Sequence, residues 1–162
     1  MRKSQQGFTL IELIAVIILL GILSAFAISR FPSSQSYSST IIKNQIIASA
    51  RLAQQTSLSR ASAGSDVVLT VSEIAGNWNL VISGGNGISY TAQVERGNEQ
   101  LRYGVDLASA CSTLTAAPLV LTLDGDGNRI PAQNLRVCID SVTDIELCIS
   151  PSGYAYEGIC LP

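Results

Sequence analysis

The sequence predicts an α+β protein: a long N-terminal hydrophobic helix, broken or kinked near residues 31–39, packed on a C-terminal antiparallel β-sheet head. Three observations carry that expectation. From Phe8 to Ile28 only Thr9, Glu12, Gly21 and Ser24 are not plainly hydrophobic. Ile42, Ile46, Ala50 and Ala53 then recur three or four residues apart, the spacing of one helix face. Beyond Gly64 the chain changes to short alternating or β-branched segments separated by glycine-rich turns.

The first element is set by length and by one acid. Twenty-one residues at helical rise cover about 31 Å, the thickness of a bilayer's hydrocarbon core. Glu12 interrupts this run one turn from its start. A carboxylate at the bilayer centre costs about 2.5–3.5 kcal/mol or more and less near an end, so Glu12 calls for a compensating partner. The seven residues before the run, Met1 to Gly7, are basic and polar. Arg2 and Lys3 favour a cytoplasmic N-terminus, although Arg30 on the far side weakens the asymmetry. A cleaved secretory signal is the rival reading, with Ala25-Phe26-Ala27 as its cleavage site. Its apolar core would be unusually long and would carry an acid near its start.

Gly7-Phe8-Thr9-Leu10-Ile11-Glu12 followed by an apolar helix resembles the class III leader and N-terminus of type IV pilins and type II secretion pseudopilins. The resemblance covers roughly the first thirty residues. It implies that residues 1–7 are a leader, that a prepilin peptidase cuts between Gly7 and Phe8, and that the new Phe8 amine is N-methylated. It also implies that residues 8–30 form a transmembrane and filament-core helix, and it gives Glu12 a role. In a staggered bundle, Glu12 of one subunit faces the Phe8 amine of its neighbour, and a misdocked subunit leaves both charges buried alone. Glu12 would thus set assembly register.

The next elements follow in order. Arg30-Phe31-Pro32 ends or kinks the first helix, because proline lacks an amide donor and disfavours helix before it. In the family that proline stands about three residues earlier, where this chain has Ser29. A serine-rich run follows, and serine favours caps and turns over helix interiors. Residues 31–39 are therefore expected to be a joint and residues 40–62 an amphipathic helix of the head. Residues 63–162 make the β-rich globular part. Strands are expected at Asp66–Val71, Trp78–Ser83, Ile88–Glu95, Leu119–Leu123, Leu135–Asp140, Ile145–Ile149 and Tyr154–Glu157, with Gly84-Gly85-Asn86-Gly87 and Pro151-Ser152-Gly153 as turns. Gly97–Pro118 has no clear period and reads as a variable loop with a short helix. The second half of the head resembles GspH/FimT-type pseudopilin heads, and the whole is similar to a minor pilin of the mannose-sensitive haemagglutinin (MSHA) type.

Cys111, Cys138, Cys148 and Cys160 all lie in the last third of the chain. An even count in an exported domain points to two disulfides, and four cysteines allow three pairings. Cys148–Cys160, closing the C-terminal hairpin, with Cys111–Cys138 is preferred; Cys138–Cys148 across a turn at Thr143 stays open. Asp124, Asp126 and Asn128 occupy the first three alternating ligand positions of an EF-hand loop. Arg129 then stands where glycine is needed and Leu135 where the bidentate acid is needed. A Gly/Asp-rich hairpin turn is the favoured reading over a loose calcium site.

Composition narrows the function. The chain has 162 residues, net charge −2 and no histidine, so histidine-based catalytic triads are excluded. It has no glycine-rich phosphate loop of the Walker type. No enzyme or cofactor is expected, and acids such as Glu95 and Glu99 read as solvated-face residues. Without Arg2 and Lys3, eight basic and twelve acidic residues leave −4, and the basic residues form no run, so a nucleic-acid partner is not expected. The resemblance implies a structural subunit, a minor pilin, of a type IV pilus or related filament with a role in adhesion or pilus biogenesis. Its implied partners are other pilin subunits, the prepilin peptidase and the inner-membrane assembly machinery. Its implied location is the inner membrane with the head in the periplasm, then the pilus and cell surface. A type II secretion pseudopilin, with a periplasmic pseudopilus, and an exported DNA- or ligand-binding minor pilin are the alternatives.

Overall fold

The apolar run forms helix α1 (Leu10–Ile28) in the computed structural model, which describes residues 9–28, 34–60, 66–84, 87–140 and 144–161. The chain divides into two units, Met1–Ser33 and Ser34–Pro162. In the first, the 19 residues of α1 span about 28 Å. Among the described residues no helix is long and apolar enough to cross a membrane. The expected span of residues 8–30 reaches beyond α1 at both ends, onto positions outside the described set. Pro32 and the leader, including Gly7 and Phe8, also lie outside it.

The second unit begins with α2 (Ser34–Leu58). Of the joint expected at 31–39, residues 31–33 lie outside the described set and the rest is corrected: Ser34–Ser39 are helical, and α2 starts six residues before residue 40 and ends at Leu58, short of residue 62. Serine's weak helix propensity is overridden by tertiary packing. Ser39 is fully buried and Ser38 donates to a carboxylate of the head. The expected stripe is the packing face. Ile42, Ile46, Ala50 and Ala53 are completely buried in one core with residues of both sheets.

The head has two five-stranded antiparallel sheets where one was expected. The first runs β3-β2-β1-β6-β7 and is built from β1 (Val67–Ile74), β2 (Asn77–Gly84), β3 (Ile88–Glu95), β6 (Leu119–Leu123) and β7 (Arg129–Ile130). The second runs β10-β9-β8-β4-β5, from β4 (Gln100–Gly104), β5 (Thr115–Ala116), β8 (Leu135–Asp140), β9 (Ile145–Ile149) and β10 (Ala155–Glu157). The segment Gly97–Pro118, expected as a loop, contains β4, a short 3₁₀ turn at Cys111–Thr113 and β5. β4 escaped the pattern because Leu101 is its only fully buried side chain, so no alternation announces it. It nonetheless sits between β8 and β5, in register from Gln100↔Asp140 to Gly104↔Arg136.

α2 touches β1, β2, β3 and β6 of the first sheet and β9 and β10 of the second. Its polar side chains fasten the chain's end. Arg51 donates to the Ala155 carbonyl (3.2 and 3.1 Å), Gln54 to that of Ser152 (2.6 Å), and Lys43 pairs with Glu157 (2.9 Å). Ser57 donates to the Asp124 carbonyl, so both late turns dock on the C-terminal half of α2. Gly153 is where they meet, at φ +76°, and a methyl group there would collide with the Gly127 carbonyl oxygen. Gly153→Ala combines overpacking against backbone with a left-handed conformation that side chains disfavour. It should destabilise the protein by about 2–4 kcal/mol in chemical denaturation, and an unchanged midpoint would show that this contact is not rigid.

Candidate functional site

α1 opens with a cap that gives Glu12 a partner inside its own chain. The Glu12 amide donates to the Thr9 carbonyl (3.1 Å) and to Thr9 Oγ1 (3.3 Å). In return, the Thr9 amide and hydroxyl approach Glu12 Oε2 at 3.5 and 3.4 Å. This is a capping box, in which an N-cap threonine and an acid three residues on satisfy each other's amides. The signal was present in the sequence as Thr9-Leu10-Ile11-Glu12 and was not read there. The negative carboxylate also faces the positive end of the helix dipole, a favourable placement of about 0.3–1 kcal/mol. The bonds are long, and among the described residues Oε1 of Glu12 makes none.

Below this cap the helix is apolar all round. Leu10, Ile11, Leu13, Ile17 and Leu19 through Leu23 include every face, and the large apolar side chains from Leu10 to Leu23 are 42–76% exposed. Ser24 hides its hydroxyl by donating to the Leu20 carbonyl at 2.7 Å. Glu12 is therefore the one ionisable group among the described residues of α1.

Elsewhere the head holds structural clusters. Glu99, expected on a solvated face, is 2% exposed. Its carboxylate accepts from Trp78 Nε1 (3.1 Å), the Gly97 amide (3.0 Å) and Ser38 Oγ (3.1 Å). A side chain at Gly97 would strike both the Glu99 carboxylate and the Ser38 hydroxyl, so it would have to displace the two groups that bond each other. Arg96 lies over the Trp78 ring at 5.5 Å and pairs with Glu73 at 2.6 Å. The cluster ties the start of α2 to the end of the first sheet. Nothing in local spacing marks this acid as buried, because its partners lie 21 and 61 residues away.

Cys111 is bonded to Cys138 and Cys148 to Cys160. Cys111 and Cys138, with Glu146, are also the group among the described residues spaced to hold a metal ion, but both sulfurs are committed to the disulfide. Glu146 instead takes a forked pair of bonds from Arg136, at 3.1 and 2.6 Å, which raises the already high arginine pKa. Arg129 is buried beside the Pro131 and Gln133 carbonyls, and burial lowers its pKa. Asp124 Oδ1 accepts the amides of Asp126 (3.0 Å) and Asn128 (2.8 Å), which makes it the closing residue of the β6–β7 hairpin.

Of the sequence-derived residues, the structure joins Cys111 to Cys138 and Cys148 to Cys160. Glu12 belongs to the first unit, and the cysteines and Asp124, Asp126 and Asn128 to the head. Replacing Glu99 with alanine would leave the buried Trp78 indole N–H without its acceptor and take the Gly97 amide's partner away. A loss of about 3 kcal/mol in the unfolding free energy is expected by urea titration. A change below about 0.5 kcal/mol, the size typical of surface substitutions, would contradict the buried role.

Residues 2–28 match the family model described as the prokaryotic N-terminal methylation motif. Comparison with curated proteins returns no match. Among solved structures, the chain is similar to the type IV minor pilin FimU of Pseudomonas aeruginosa. The two share 14% identity over 72% of this chain and 89% of that one, with a TM-score of 0.48.

Proposed function

We propose that this chain is a type IV pilin-like structural subunit, a minor pilin, processed at its N-terminus and built into a filament through α1. The observation that carries this reading is the methylation motif over residues 2–28, joined to a helix that starts directly behind the proposed cut. A peptidase acting between Gly7 and Phe8 would release the leader and expose an amine at Phe8, which is then methylated. That amine belongs to the residue preceding the Thr9 cap. Two steps of charge balance follow. The capping box holds the Glu12 carboxylate at the helix start, and its remaining acceptor capacity is directed to the Phe8 amine of a neighbouring subunit. In a water-poor bundle each charge is costly alone and strongly attracted to the other, so the correct stagger is favoured over its neighbours.

Before assembly the precursor would sit in the inner membrane with its head outside the cytoplasm; afterwards α1 would be covered by the same helix of other subunits. The mature chain is acidic, and its basic residues are scattered, which favours a structural or adhesive role over nucleic-acid capture. The two disulfides suit an oxidising compartment.

Glu12 separates the proposed charge pair from simple helix capping. Glu12→Gln keeps a capping-box acceptor and removes the charge, whereas Glu12→Ala removes both. Both variants should be cleaved normally on a gel, yet both should be depleted from sheared filaments by tenfold or more. Normal incorporation of Glu12→Gln would remove the register argument and leave the acid as a cap.

A further inference from the structure

Three of the four sheet edges are blunt, and one is not. β5, β7 and β10 are two or three residues long, whereas β3 runs for eight residues and, among the described residues, pairs only with β2. β3 carries no proline and no lysine, and Glu95 is its one charged residue. It therefore lacks the usual protections against pairing with another strand.

The direction of its free backbone groups can be read from one bond. The Arg96 amide donates to the Gly76 carbonyl, one step beyond the Asn77↔Glu95 pair. Backbone groups alternate along an antiparallel strand, so the even-numbered residues face β2. The N–H and C=O groups of Ser89, Thr91, Gln93 and Glu95 face outward. On the inner face Tyr90, Ala92 and Val94 sit beside Ile82, Leu80 and Trp78, but cover is incomplete and Tyr90 remains 45% exposed. A groove of about 800 Å³ opens at the Val94 end, between β3 and α2, lined by Tyr37, Ile41, Gln45, Gln93 and Val94.

We infer that β3 is a docking edge for β3 of a second copy, antiparallel about a two-fold axis at Ala92. The sequence of the strand chooses this occupant. A two-fold axis perpendicular to the sheet keeps inner faces aligned, so residues of equal parity must oppose. Centring on Ala92 puts the smallest inward side chain where it meets its own copy. Tyr90 then lies opposite Val94 of the second copy, an aromatic–β-branched pair of the stabilising kind, twice over. Centring on Thr91 would spend Tyr90 on alanine. The only charges, the two Glu95 carboxylates, fall opposite Ser89 at far ends of the joint, about 20 Å apart and beyond a Debye length. Tyr90 of each copy would then lie at the Val94 side of the other copy's groove. Such a contact is isologous and closed, so it cannot propagate along one filament; it pairs heads from different filaments or precursors. The inference uses the head alone and stands or falls independently of α1.

The test is cysteine trapping in the full chain in detergent. All native cysteines are in disulfides, so an added one reports cleanly. Opposed residues of a non-hydrogen-bonded pair have Cα atoms about 4.5 Å apart, within disulfide range. Ala92→Cys should give a covalent dimer as the main species after mild oxidation. Val120→Cys, exposed on the outer face of the same sheet, should stay monomeric. Adding Thr91→Pro removes an outward amide without touching the β2 ladder and should abolish the Ala92→Cys dimer. No dimer from Ala92→Cys, an equal dimer from Val120→Cys, or a dimer that survives Thr91→Pro with unchanged circular dichroism would each overturn the inference.

Discussion

A helix that is apolar on every face needs cover all round its axis, and this constraint organises the protein. Ordinary helices bury one stripe and show the rest to water, as α2 does with Ile42, Ile46, Ala50 and Ala53. α1 has no polar side to show. Its large side chains stay exposed along the described length, and each would gain about 1.5–3 kcal/mol on burial. In the proposed reading lipid covers it before assembly and similar helices afterwards. Glu12 matters because it is the one charge in the described part of a surface that must leave water.

The position of that charge reduces its cost without cancelling it. Three residues into the helix, the carboxylate serves the cap, balances the dipole and remains near the end of the apolar run. A deeper acid would lose all three benefits. The arrangement leaves a residual demand for a cation, and a cut before Phe8 would create one next to the cap. Processing and assembly are coupled in this reading by a single electrostatic debt.

The head follows a different logic, in which sequence-distant groups hold one another. α2 is the common support: its apolar stripe reaches both sheets, and Lys43, Arg51, Gln54 and Ser57 fasten the late turns. Cys148–Cys160 then closes the last segment and Cys111–Cys138 ties the 3₁₀ turn to β8. The strands at Ile88–Glu95, Leu119–Leu123, Leu135–Asp140 and Ile145–Ile149 were legible because burial or alternation and flanking turns agree locally. The start of α2 was not, since Ser38 and Ser39 are helical for reasons that lie in the head. β4 was hidden by its single buried leucine, and Glu99 by partners far along the chain. At the N-terminus the opposite holds: charge, glycine, the Thr9–Glu12 spacing and the apolar run are all local signals.

The central claim is that the residue before the cap becomes the chain's N-terminus. Mass spectrometry of the protein recovered from sheared filaments tests it most directly. The expected N-terminal fragment begins at Phe8 and carries one added methyl group. A fragment that still contains Met1–Gly7, or one that begins beyond Ala27, would contradict the account.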